Sequence, residues 1–234
     1  MIAKSKHIGI VACSVEGAAL CLREIAAYSL NLMGEHLHPQ VTLSCIAMGE
    51  WLPAFNRGDH EGVADFMLRE TEIVAKAGAQ FAICPDNSAH LAFKQVAARS
   101  PIPWLHIAEE VAKAAVRAGY GHSALLGTRF TMSGPVYPEV FKRYRLKISL
   151  PAESDQKIVD EIIFKELVNG IFSETSRLRY NEVIDRMKAR GCDNVILGCT
   201  EIPLLVRADD CPLPALDSTR LLARAAVDAA LQTG

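Results

Sequence analysis

Short apolar runs alternate along the chain with longer stretches in which apolar residues return every three or four positions. The runs at 8–12, 41–47, 81–84, 104–107, 124–126, 145–148 and 195–197 are too short for helices. Most lack polar alternation, the pattern of a strand buried on both faces of a parallel sheet. Between them, 17–32, 62–77, 90–99, 107–118, 136–144, 155–169, 176–190 and 218–231 carry helical spacing and are rich in Ala, Leu, Glu and Arg. Strand–helix alternation from end to end predicts an α/β architecture.

Two segments read as copies of each other. Phe81-Ala-Ile-Cys-Pro-Asp-Asn-Ser88 runs from a strand into Asp86-Asn87-Ser88, and Val195-Ile-Leu-Gly-Cys-Thr-Glu201 runs from a strand into Cys199-Thr200-Glu201. Each follows a helix that ends in a glycine turn, Ala77-Gly78-Ala79 and Arg190-Gly191-Cys192. The offset is 113 residues (86 to 199), and the strand glycines Gly9 and Gly127 stand 118 apart. Chance also makes βα turns alike, but two landmarks at nearly one spacing predict a duplicated unit of about half the chain. Two similar α/β halves facing each other follow. The prolines of Ser100-Pro101-Ile102-Pro103 restrict the backbone and mark the expected hinge. The expected division is 1–99 with 212–234 against 100–211. Asp217-Ser218-Thr219 is an N-cap cluster for the last helix, which is expected to pack back on the first half.

Composition narrows the chemistry. Of 234 residues half are hydrophobic, enough to bury a core, and the net charge of −2 lacks the basic excess of a nucleic-acid binder. No apolar run reaches the length of a membrane span. Lys4 and Lys6 before 8–14 mimic a signal peptide, but Glu16 interrupts the run, which reads better as a first buried strand. Seven scattered cysteines with no C-x-x-C pair argue for a reducing, cytoplasmic setting. Cys192, Cys199 and Cys211 fit no zinc spacing, and neither a phosphate-binding G-x-x-x-x-G-K-[ST] loop nor a G-x-G-x-x-G fingerprint occurs. No metal and no cofactor are therefore expected.

Both repeated turns carry polar groups at the carboxyl end of a buried strand, where α/β sheets bind ligands. Backbone N–H groups at the following helix starts, the Ser88 and Thr200 hydroxyls and the Asn87 amide suit a carboxylate. With the halves facing each other, Asp86 and Cys199 approach one cleft from opposite sides. Two proton-carrying groups on opposite faces of a small carboxylate are what a cofactor-independent racemase needs.

Gly198-Cys199-Thr200-Glu201 after a strand is the strongest motif. Pro85-Asp86-Asn87-Ser88-Ala89-His90, Ile8-Gly9-Ile10-Val11 leading to Ser14, and Leu126-Gly127-Thr128-Arg129-Phe130-Thr131 are the others. Together they resemble the cofactor-independent aspartate/glutamate racemases over essentially the whole chain. The resemblance implies two α/β halves with parallel sheets related by a pseudo-twofold axis, an active site in the cleft between them, and a homodimer. It implies that Asp86 and Cys199 form the acid–base pair acting on a small amino-acid or dicarboxylate substrate. Ser14, Asn87, Ser88, Thr128, Thr131, Thr200 and Glu201 would hold that substrate. Several candidates also have a plain structural reading: Ser14, Thr128 and Thr131 as caps, Glu201 as a helix-start residue, His90 as a structural hydrogen-bonding group and His106 as a packed one.

One position departs from the family, whose turn reads proline-cysteine-asparagine-threonine-alanine-histidine. Asp86 stands where the family has its first cysteine, and Cys84, two residues earlier, reads as a buried strand cysteine. A carboxyl is about 4.6 pKa units less basic than a thiolate, roughly 6 kcal/mol. The one-proton state should therefore hold its proton on Cys199 and leave Asp86 ionised. A single cysteine also suits a decarboxylase of malonate-type acids in which Cys199 only protonates a carbanion, and loss of the pair suits a non-catalytic ligand-binding relative. Arg57 and Lys165 are candidates for a distal carboxylate but lie in no motif. Lys142-Arg143-Tyr144-Arg145 reads as a solvated helix end.

Overall fold

The computed structural model describes residues 5–207 and 209–232, so Lys4 lies outside it. The first elements are β1 (Ile8–Ala12), α1 (Val15–Met33), β2 (Val41–Cys45), α2 (Met48–Arg57), α3 (His60–Lys76), β3 (Phe81–Ile83) and α4 (Phe93–Arg99). There follow α5 (Ile107–Ala118), β4 (His122–Gly127), α6 (Arg129–Ser133), α7 (Val136–Arg143), β5 (Lys147–Ser149), α8 (Glu153–Lys165) and α9 (Glu174–Ala189). The last are β6 (Asn194–Gly198), α10 (Ile202–Leu205), β7 (Ala215–Asp217) and α11 (Ser218–Leu231). They divide into two compact units, one running through Ile107 and resuming at Thr219, the other Ala108–Ser218.

In the first unit a parallel sheet has the order β2-β1-β3. The central β1 is buried throughout, as its unbroken apolar sequence requires. Ile8, Ile10 and Ala12 pack with Cys21 and Ile25 of α1 and Leu222 and Val227 of α11. Alternation sends Val11 to the other side, against Val74 of α3 and Ala79. Farther along that side Cys13 and Cys84 join Trp51 of α2, Val63 and Met67 of α3, and Val96 of α4. Gly9 lets α3 come close: a Cβ there would sit 2.7 Å from a Val74 methyl.

The second unit holds a parallel sheet in the order β5-β4-β6-β7. Leu126, Val195 and Leu197 pack on Ile163 of α8 and on Tyr180 and Val183 of α9. Gly127 and Gly198 are paired at the end of the β4–β6 ladder, and a Cβ on Gly127 would lie 2.7 Å from the Gly198 carbonyl oxygen. The two units share one strand order. After β3, Trp104 bridges parallel to Ala82 where β7 follows β6 in the second unit.

The differences from the sequence reading are local. The Pro101–Pro103 segment runs along β3, with the Ala82 N–H donating to Pro103 O at 2.8 Å and the Leu105 N–H to Ala82 O at 3.1 Å. The chain thus leaves the first unit after Ile107, not after residue 99, and 104–107 supplies one bridge, not a strand. Strand β7, which its short sequence conceals, keeps the chain in the second unit through Ser218, not 211. Arg145 has φ 57, a left-handed conformation that ends the turn after α7, so β5 begins at Lys147. Helix α2 contains Pro53 and Gly49, two breakers that mask its pattern. Residues 87–92 form a tight 3-10 turn before α4, where a single helix from 90 to 99 was expected.

Candidate active site

The first turn follows β3. Pro85 and the extended backbone of Asp86 carry the chain off the sheet into the 3-10 turn Asn87–Ala92. Asp86 stands at the N-cap of that turn, yet its side chain does not cap it. The carboxylate instead reaches the end of β1, where Oδ2 accepts the Cys13 N–H at 2.9 Å. Cys84 Sγ lies 3.8 Å from the Asp86 carbonyl oxygen and 3.9 Å from Oδ2. Burial first, then the charge of Asp86, pushes both the Cys13 and the Cys84 thiols well up, so neither ionises readily. Cys84 is sealed in the core, whereas Cys13 keeps 7% exposure.

His90 braces this turn from behind. Its Nε2 lies 3.0 Å from the Cys84 carbonyl oxygen, which accepts only from an N–H, so Nε2 carries the hydrogen. The ring stacks on Phe93 and meets His106 edge-on. Burial, then His106, holds its pKa well below 6.5, so it is a neutral structural imidazole. Asn87 is buried and Ser88 half-buried at the start of the turn. Ser14 follows Cys13 and accepts the Gly17 N–H at 3.1 Å as the N-cap of α1.

The second turn follows β6. Cys199 Sγ donates to Glu201 Oε2 at 3.0 Å, and Thr200 Oγ1 donates to the same oxygen at 2.7 Å. Glu201 is 2% exposed and Cys199 9%. The resting thiol is thus a proton donor with a carboxylate acceptor at hand. Tyr180 packs in the core beneath Cys199, its hydroxyl donating to Val159 O at 3.1 Å. Burial, then the negative charge of its neighbours, raises Tyr180 far above 10, so no competing base arises there. After β4, Thr128 caps α6 by accepting the Thr131 N–H at 3.3 Å, and the two hydroxyls stand 3.3 Å apart. Both threonines are buried, packed where Gly127 leaves room for the Thr131 side chain.

The remaining candidates lie elsewhere. Arg57 pairs with Asp59 at 3.6 Å and Lys165 with Glu161 at 3.0 Å, both on exposed helix ends. Arg143 pairs with Glu109 at 2.7 Å. Among the described residues no group of three or more His, Cys, Asp or Glu is arranged to share a metal ion, and no helix is long and apolar enough to cross a membrane. Cys13 escaped the sequence reading. The signal for it was its place, directly before Ser14 at the carboxyl end of the central strand.

Comparison with known proteins places these turns in context. A solved Yersinia pestis structure, provisionally described as an Asp/Glu racemase, is 32% identical with a TM-score of 0.88, covering 97% of this chain and 100% of that one. An aspartate racemase homologue from Pyrococcus horikoshii OT3 shares the fold, with 24% identity and a TM-score of 0.82 over 96% of this chain and 99% of that one. The broad specificity amino-acid racemase RacX of Bacillus subtilis is 23% identical over 172 residues, 72% of this chain and 73% of that protein. A glutamate racemase from Listeria innocua is 26% identical over 149 residues, 63% of this chain but only 54% of that enzyme. The family model for Asp/Glu/hydantoin racemases matches residues 10–226. The chain, an enzyme of the isomerase class, belongs to the Asp/Glu/hydantoin racemase family.

Proposed function

We propose that the protein is a cofactor-independent amino-acid racemase of the aspartate/glutamate type, with Asp86 and Cys199 exchanging the Cα proton. The observation that carries this reading is the Cys199 thiol, protonated and hydrogen-bonded to the buried Glu201 at the end of β6. In one direction Asp86 takes the Cα hydrogen as a proton, and the electron pair left on carbon spreads into the α-carboxylate. The Cys199 S–H then delivers its proton to the opposite face. The step leaves Asp86 protonated and Cys199 as thiolate, and the reverse reaction or exchange with solvent restores both. Ser14, Asn87, Ser88, Thr128, Thr131 and Thr200 supply hydroxyl, amide and backbone donors for the carboxylate, where charge develops. Glu201 orients Cys199.

Two features favour this reading over a malonate-type decarboxylase. A carboxylate at the first turn repels a dianionic acid, and it suits the ammonium of an amino acid. A cytoplasmic homodimer belongs to the same reading, and light scattering on the purified protein checks the dimer. The functional test is Cα–H exchange in heavy water, followed by proton NMR. The substrates are both enantiomers of aspartate and glutamate and a panel of neutral and basic amino acids. Exchange with inversion, lost in Cys199→Ala, is the expected result. Carbon dioxide release from a malonate-type acid without exchange overturns it.

A further inference from the structure

We propose that helix α1 is the face on which two copies of this chain pair, antiparallel about a twofold axis. The reading above expects a homodimer. This inference names its surface, and its test reads mass alone, so a failure of the racemase chemistry leaves it standing. Val15, Ala19, Leu22, Ala26 and Leu30 recur every three or four positions and form one stripe along α1. All five are exposed, Val15 at 73%, Leu22 at 39% and Leu30 at 50%. The core side of the helix is carried by other residues, Ala18, Cys21 and Ile25. A helix with one apolar face buried and a second one bare has a surface left over for an interaction.

The stripe continues onto the sheet. Arg224 of α11 donates to Glu24 at 2.7 Å, which places α11 on one flank of α1. Leu22 and Ala26 lie on the opposite flank, the side of the edge strand β2. Leu43 and Cys45 of β2 stand in register with Ile10 and Ala12, which pack on α1, so they face the same way. Both are exposed as well. A stable interface takes about 800 Å² from each partner, more than one helix stripe offers, and these strand residues widen it.

Size and charge identify the occupant as a second copy. Large and small residues alternate along the stripe: Val15, Ala19, Leu22, Ala26. Set antiparallel, with the twofold axis between Ala19 and Leu22, the stripe fits itself. Val15 of one copy meets Ala26 of the other, and Leu22 meets Ala19. Rotation about that axis also brings like flanks together. Glu16 and Arg23 are exposed, seven residues apart, on the flank away from β2. In this register Glu16 of each copy lies beside Arg23 of the other, so two ion pairs border an uncharged seam and set its direction.

Light scattering on the full chain, over a dilution series in reducing buffer that keeps the exposed Cys45 from cross-linking, tests this. The parent should be a dimer. Leu22→Glu should be a monomer that is still folded by circular dichroism, since the exposed side chain supports no core. Glu16→Arg should weaken the dimer about tenfold, and adding Arg23→Glu to it should restore the parent affinity, because the double reversal rebuilds both pairs. A parent that is monomeric at every concentration overturns the inference. A dimer that survives Leu22→Glu overturns it too, by placing the interface elsewhere. A double reversal that pairs no better than Glu16→Arg alone overturns the antiparallel register.

Discussion

The turn after β3 and the turn after β6 come from units with one strand order, yet they hold their tip residues in opposite ways. The second turn offers a thiol in sequence, Cys199, and supplies its carboxylate from two residues on, Glu201. The first turn offers a carboxylate in sequence, Asp86, which is anchored at the end of another strand by the Cys13 N–H. One pair is local and travels with its loop. The other depends on the register of β1 against β3, where Ile10 stands beside Ile83. A duplicated fold therefore preserves the place of a tip residue without preserving what holds it.

The widest test of that contrast removes each tip group. Cys199→Ala and Asp86→Asn should each lower exchange by about 10²- to 10⁴-fold, the range for a general acid or base. Loss in the first variant alone would break the symmetry of roles and leave Asp86 as a binding group. Asp86→Cys sharpens the comparison from the other side. With a thiol at both tips, racemisation of a small acidic amino acid should be retained or raised. Complete loss in a folded protein would place the first proton carrier elsewhere.

The repeat glycines differ in what they guard. A methyl on Gly127 meets the Gly198 carbonyl oxygen, a backbone atom at the mouth of the second turn, whereas a methyl on Gly9 meets the end of the Val74 side chain. Backbone yields less than a valine methyl. Gly127→Ala should cost about 2–3 kcal/mol and Gly9→Ala about 1–2 kcal/mol, read from urea midpoints at equal slope. Equal costs would mean that the second sheet relaxes as easily as the first.

How far these features were legible depended on whether they were written locally. The strand runs, the repeat spacing and the Cys199-Thr200-Glu201 motif each lie within a few consecutive residues, and so they could be read. The Cys13–Asp86 contact joins positions 73 apart, and nothing in either segment announces it. The same holds for Trp104, whose bridge to Ala82 moves the unit boundary past the prolines that seemed to mark it. Helix α2 was hidden for a different reason. Pro53 and Gly49 disguise a segment that is stabilised by burying Trp51, not by intrinsic propensity.

Acid sensitivity should also separate the turns. His90 belongs to the first, and no imidazole follows Cys199. The folded ring is held neutral well below 6.5, while the unfolded ring protonates near that value. As pH falls below 6.5 the unfolded state takes up the extra proton, so stability drops by up to about 1.4 kcal/mol per pH unit until the folded pKa is reached. Above 6.5 the effect is absent. Denaturant midpoints between about pH 7 and pH 5 should slope less steeply in His90→Gln than in the parent. Equal slopes would assign the acid sensitivity to carboxylates.

The smallest effect expected on turnover is that of Cys84→Ala, and it decides whether the Cys84 thiol belongs to the first turn. Cys84 is sealed in the core against Trp51 and Met67, and its approach to Asp86 is long. Removing its sulfur should cost about 1 kcal/mol of stability through the void left behind, while exchange stays within about threefold of the parent, since general acid–base loss is far larger. Cys13 touches the carboxylate through its backbone N–H and keeps the residual exposure. A folded Cys84→Ala that no longer exchanges would reverse this order, making Cys84 the working thiol and Asp86 its partner. The first turn would then match the second more closely than its sequence does, with a reacting thiol and a supporting carboxylate two residues on.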